Sequence, residues 1–206
     1  MPACYQPQNR RQLNVLRIKS HTFWLLLLII VGAYQMGTGL WIVAKAKLAQ
    51  YFIAQAWQAT LVDKKRHRPW PWADTYPVVE LSIKKDTWYV LADANGRNLA
   101  FGPTHLTSTP ILGEIGNSVI VGHRDTQFNS LKTLKVGDII EVKNIKGTSH
   151  YQVSDLRITQ LRQLSLWQWD NTDEANQSTL TLVTCYPFDS LKPNPTQRFI
   201  VTAVKI

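Results

Sequence analysis

Thr179-Leu180-Thr181-Leu182-Val183-Thr184-Cys185-Tyr186-Pro187-Phe188 reads as a strand, and the rest of the chain can be read outward from it. Its β-branched and apolar residues alternate, which puts Leu180 and Leu182 on one face and Thr179, Thr181, Val183 and Cys185 on the other. Pro187 cannot donate to a ladder, so the strand stops just past Cys185. A thiol at a strand end can face a groove. A free cysteine is also commonly a small buried hydrophobe, and this stretch alone fits both readings.

Similar short runs fill the chain after Asp74: Val78–Ile83, Trp88–Leu91, Asn98–Phe101, Asn117–Val121, Asp138–Val142, Tyr151–Leu156 and Phe199–Val204, broken by turn signals at Asn95-Gly96, Gly113, Gly137-Asp138 and Lys146-Gly147. With Thr179–Cys185 they make about eight strands and leave no long helical period between them. The class is therefore all-β, a barrel or a sandwich, over residues 74–206.

Upstream the pattern changes. Phe23 to Ala44 carries no charge over 22 residues, enough to cross a bilayer core of roughly 30 Å, and its start, Trp24 to Val31, is almost pure hydrocarbon. Trp24 and Trp41 lie near its ends, where amphipathic rings prefer the headgroup level. Residues 23–44 read as a transmembrane signal anchor through the lipid bilayer. Ala44-Lys45-Ala46 imitates a cleavage site, but the apolar run exceeds the usual hydrophobic region of a cleaved signal peptide.

Arg10, Arg11, Arg17 and Lys19 bias residues 1–22 toward the cytoplasm, which leaves the later residues outside. From Lys45 to about Leu61 the apolar residues follow helical spacing, so residues 45–73 read as a helical stalk and linker closed by Pro69-Trp70-Pro71-Trp72. The basic run Lys64-Lys65-Arg66-His67-Arg68 fits contact with anionic headgroups and fits a solvated linker equally well.

The 206 residues hold 23 Lys/Arg and 14 Asp/Glu, a formal charge of +9. Residues 1–68 hold 10 of those basic groups and only one acid, Asp63, so the later residues are neutral. A groove tracking a phosphate backbone would need the excess on the folded part, which argues against a nucleic-acid partner. Of the two cysteines, Cys4 precedes the apolar run, so Cys185 has no disulfide partner on the outer side.

Val119-Ile120-Val121-Gly122-His123-Arg124-Asp125 is a buried-looking strand that ends at glycine and then presents a histidine, which can serve a cysteine as acid or base. Gln197-Arg198-Phe199-Ile200-Val201 places one guanidinium among apolar neighbours, where it can stabilise an oxyanion or pack its stem at a rim. His21, His67, His105 and His150 lack a comparable setting.

Taken in order, TLVTC at 181–185, VGHRDT at 121–126 and QRFIV at 197–201 resemble the cysteine, histidine and arginine motifs of the sortase family. Leu131 to Asp138 resembles that family's turn after the histidine. Pro69 to Thr75 is similar to the segment that leads into the domain in the Gram-negative subgroup. The resemblance runs from about Pro71 onward.

It implies an eight-stranded barrel and a membrane-anchored cysteine transpeptidase of the bacterial inner membrane, with its catalytic domain extracytoplasmic. The substrate would be a protein bearing an LPXTG-like sorting signal, and the acceptor an amine of the cell envelope. By the same resemblance Cys185 is the nucleophile, His123 the acid and base, Arg198 the oxyanion partner, and Thr184 shapes the substrate site. No cofactor is implied. Asp170 to Glu174 is acidic and lies where calcium-using members carry a cluster, but it lacks an EF-hand pattern and reads as a solvated loop.

Against the rivals, the clustered signatures of L,D-transpeptidases and of papain-like peptidases are absent, and no Cys-x-x-Cys or His-Glu-x-x-His spacing marks zinc. A membrane-anchored β-barrel that only binds, with Cys185 inert, explains the fold and the anchor but not the three motifs.

Overall fold

The structure is a computed structural model and describes residues 10–163, 177–190 and 195–206. Cys4, the Asp170–Glu174 loop and residues 191–194 of the segment before Gln197 lie outside the described residues.

The chain divides into two compact units, Met1–Lys47 and Leu48–Ile206. One helix, α1, runs from Arg10 to Asp63 without a break. In the first unit its apolar residues from Phe23 to Val43 stay exposed, and the helix is long and apolar enough to cross a membrane. A core helix of a soluble protein would bury such a stripe, so this segment is a candidate membrane anchor.

In the second unit the last turns of α1 do bury a stripe. Ala49, Ile53, Ala56, Trp57 and Thr60 recur at three- and four-residue spacing and are buried. Trp57 Nε1 donates to Glu80 Oε2 at 3.0 Å, and Gln50 Nε2 donates to Phe101 O at 2.6 Å. Removing the Trp57 ring costs about 3–5 kcal/mol, the usual range for a large buried aromatic. The helix stops at Asp63, six residues before the first proline of the linker. Lys64 takes a left-handed φ of 61°, and its N–H returns to Thr60 O at 2.9 Å.

The strands β1 (Pro77–Ile83), β2 (Asp86–Ala92), β3 (Thr104–His105), β4 (Gly116–Val121), β5 (Ile139–Asn144), β6 (Gly147–Gln160), β7 (Ser178–Tyr186) and β8 (Gln197–Lys205) close a barrel. Their order is β1-β2-β3-β4-β7-β8-β6-β5, with β5 back on β1. Val79, Leu81 and Ile83 of β1, Leu180 and Leu182 of β7, and Val201 and Ala203 of β8 fill the interior with Phe128, Leu131 and Tyr151. The alternation read in the sequence thus sorts each strand into a core face and an outer face.

One expected strand is absent. Asn98–Phe101 does not pair; Gly96–Leu99 forms the short helix α2, because the Asn95 side chain accepts the N–H groups of Arg97 and Asn98 and caps it. Thr104–His105 is the third strand instead, and it runs parallel to β2, so α2 lies in the crossover between them. The second parallel pair, β4 with β7, sets the site.

Candidate active site

β7 lies between β4 and β8. Its parallel register with β4 runs from Gly116↔Ser178 to Val121↔Val183, so the residues just beyond Val121 and Val183 emerge side by side at one end of the barrel. Gly122 N continues the ladder to Val183 O at 3.1 Å. On the other flank, Cys185 stands directly opposite Arg198 in the antiparallel register of β7 with β8. His123 and Arg198 therefore flank Cys185 on the two strands next to its own.

Faces matter as much as register. Opposed residues share a face, and Thr184 and Phe199 follow Leu182 and Val201 on the interior side. Cys185 and Arg198 are consequently on the outer face, where the smaller cluster of Val119, Val183 and Ile200 also packs. Cys185 is a free, partly exposed thiol, and His123 is exposed.

Thr184 is buried and gives its hydroxyl to Gly122 O at 2.7 Å. That bond stitches β7 to the turn that carries His123. The hydroxyl is engaged inside the barrel, so whatever Thr184 adds at the outer face goes through its backbone.

The His123 turn is held from several sides. His123 N donates to Gln127 Oε1 at 2.9 Å, and Phe128 N returns to His123 O at 2.9 Å. Gln127 is itself buried and donates to Leu99 O at 3.2 Å. The turn closes over the ring of Phe128, which lies in the core. A Cβ placed on Gly122 would come within 2.6 Å of that ring, so only glycine lets the strand leave the barrel here.

Arg198 Nη1 donates to Pro195 O at 2.7 Å and to Gln197 O at 2.9 Å. Both bonds fix one edge of the guanidinium and use neither Nη2 nor Nε. Arg124, buried beside His123, does something different. Its Nη1 donates to Pro187 O at 2.8 Å, its Nη2 to Ser190 O, and its Nε contacts Asp125 Oδ1 at 3.2 Å. It clamps the chain that follows Cys185 onto the turn that carries His123. Phe188 and Phe199 pack edge to face at 5.3 Å, partly buried against the core.

The sequence reading singled out Cys185, His123, Arg198 and Thr184, and all four lie within this one cluster of strand ends. It gave Arg124 no role of its own and passed over Gln127 and Phe128. Arg124 stands inside the quoted VGHRDT run, but the two carbonyls it clamps, of Pro187 and Ser190, are more than sixty residues away, and nothing local names them. Among the described residues no group of three His, Cys, Asp or Glu side chains converges as a metal site would require.

The sortase domain matches residues 80–206. The chain belongs to the sortase family, which supports a cysteine transpeptidase. Among solved structures it is similar to sortase C-1 from Actinomyces oris, at 24% identity and TM-score 0.55, over 63% of this chain and 72% of that one. It is also similar to the Clostridium perfringens sortase D5 transpeptidase, at 19% identity and TM-score 0.60, over 78% and 99%. Sortase A from Corynebacterium diphtheriae aligns at 20% identity and TM-score 0.56, over 77% and 84%. At these identities the likeness is one of fold. No curated protein matches the sequence.

Proposed function

We propose that this protein is a membrane-anchored sortase that cleaves an LPXTG-like C-terminal sorting signal and transfers the cleaved protein to an amine acceptor of the cell envelope. The observation that carries the reading is the register: Cys185 faces outward directly opposite Arg198, beside the strand end that bears His123.

In this mechanism the Cys185 thiolate attacks the scissile backbone carbonyl. The negative charge that develops on the carbonyl oxygen is stabilised by Arg198, whose edge is already fixed by Pro195 and Gln197. His123 gives a proton to the departing amine, which leaves a thioester on Cys185. An incoming amine then loses its proton to His123 and displaces the thiolate, so one peptide bond is exchanged for another, with water as a slow competitor. Arg124 holds the Pro187–Ser190 segment in place while this happens.

Residues 23–44 are the anchor in this proposal, with residues 1–22 cytoplasmic and the barrel on the outer side of the bacterial inner membrane. The Gram-negative subgroup rests on the Pro69–Thr75 likeness.

The test is intact-mass analysis of the full chain mixed with an LPXTG-like peptide, comparing wild type with Cys185→Ala. An adduct on wild type alone, released by hydroxylamine, is the expected result. No adduct with this or a varied peptide set, on folded protein, would move the assignment to a barrel that only binds.

A further inference from the structure

The barrel end opposite Cys185 holds a cavity of about 420 Å³. It lies where β1 begins, where β2 and β3 end, and under the β3–β4 loop and the β5–β6 turn. Cys185 and His123 sit at the other end, where β4 and β7 finish. Cavities of roughly 300–1,000 Å³ take small organic ligands.

The cavity is two-faced. Val78, Leu112 and Ile145 give it an apolar wall, while Lys64, Lys65, Arg66 and Lys146 border it with Glu114 as the one carboxylate among the lining residues. Lys146 Nζ lies 3.3 Å from Glu114 Oε1, and Arg66 sits 5.0 Å over the Tyr76 ring. The excess of cations over acids is therefore three. The left-handed Lys64 turns the chain at the end of α1, which delivers three successive cations to one cavity. A linker that merely dissolves in water has no need of that convergence.

Polar groups lie among these walls. Thr107 lines the cavity, as does His105, whose Nε2–H is shared between Pro110 O at 3.0 Å and Thr109 Oγ1 at 3.2 Å. The carbonyl can only accept, so the proton is on Nε2. Burial pushes the His105 pKa below the ordinary histidine value, against the opposing bond to Pro110.

We propose that this cavity binds an amphiphile with a phosphate headgroup, its apolar chain against Val78, Leu112 and Ile145 and its phosphate among Lys64, Lys65, Arg66 and Lys146. A phosphate offers more acceptor oxygens than a carboxylate, which suits cations arriving from two separate segments. The apolar wall gives the chain a place that free phosphate cannot use. A phospholipid headgroup and a phosphorylated soluble molecule share this chemistry.

The test is calorimetric titration of the full chain, held in a nonionic amphipol, with octyl phosphate and with dihexanoyl phosphatidic acid. Saturable binding is expected, weakened at least tenfold in the triple variant Lys64→Ser, Lys65→Ser, Lys146→Ser with unchanged thermal unfolding, and at least tenfold weaker for inorganic phosphate or octanol. Tighter binding of the phosphatidate supports the proposal with a lipid as the source, and tighter binding of octyl phosphate supports it with a soluble ligand. No saturable binding of either probe, or equal binding by the triple variant, by octanol or by inorganic phosphate, overturns it.

Discussion

The two ends of the barrel are built from the same strands and differ in what holds them. At the Cys185 end, neighbouring strand ends are tied directly: Thr184 to Gly122, Gly122 to Val183, and Arg124 to Pro187 and Ser190. At the other end backbone bonds also join neighbouring strand ends, Ala92 N to Tyr76 O at 2.9 Å and Gly116 N to Gln177 O at 3.0 Å, but the loops surround a cavity and touch through the side chains of Asn144, on Leu112 O at 2.9 Å, and Lys146, on Glu114. Acyl transfer requires reacting groups held within tenths of an ångström, whereas a flexible amphiphile tolerates a looser cage. The cavity at one end, and the converging strand ends at the other, match the difference in proposed task.

The comparison can be broken in order of effect. Cys185→Ala should leave no thioacyl adduct at all by intact mass. Arg198→Lys should lower the acylation rate by about a hundredfold, because an ammonium lacks the guanidinium fork and its planar donors. A rate within a few-fold of wild type in single-turnover acylation would remove Arg198 from the oxyanion role.

Gly122→Ala pushes a methyl into the Phe128 ring, and overpacking of that kind costs about 1–3 kcal/mol. Denaturant unfolding should show that loss. Because the displaced turn carries His123, the acylation rate should also fall by more than the change in folded population explains. Thr184→Val keeps the shape but leaves Gly122 O without its donor, at a cost of about 1–3 kcal/mol, measured the same way. A neutral result would mean that the ladder alone sets the register.

The smallest effect belongs to the other end. His105 has a pKa below the ordinary value in the folded state. As pH falls through the unfolded value near 6.5, the unfolded chain takes up a proton that the folded one resists, so stability is fully present above that pH and declines below it until His105 is protonated in both states. His105→Gln should flatten this decline in thermal unfolding between pH 7 and pH 5. An unchanged slope would show that His105 is hydrated enough to titrate normally.

Much of the first end was legible because its residues speak locally. Alternation in 179–185 gives both the strand and the face of Cys185, and Pro187 gives its end. The expected strand at Asn98–Phe101 failed because a cap outweighs apolar content over four residues: Asn95 offers its side chain to two N–H groups, and Gly96 opens the helix. The parallel crossover of β2 to β3 followed from that helix and could not be read without it. The cavity was illegible for a different reason. Lys64–Arg66 and Lys146 come together only through closure of the barrel, and no spacing in the chain records closure.

The Thr184–Gly122 bond also bears on error. Side chains along β7 alternate strictly, so a slip of one residue would turn Cys185 into the apolar interior and Thr184 outward, and the thiol would be sealed away. Such a mispaired molecule would lack this bond and be inert as well. In the proposed mechanism, exposure of the Cys185 thiol thus acts as a receipt for correct folding: a chain able to attack a peptide has already matched β7 to β4.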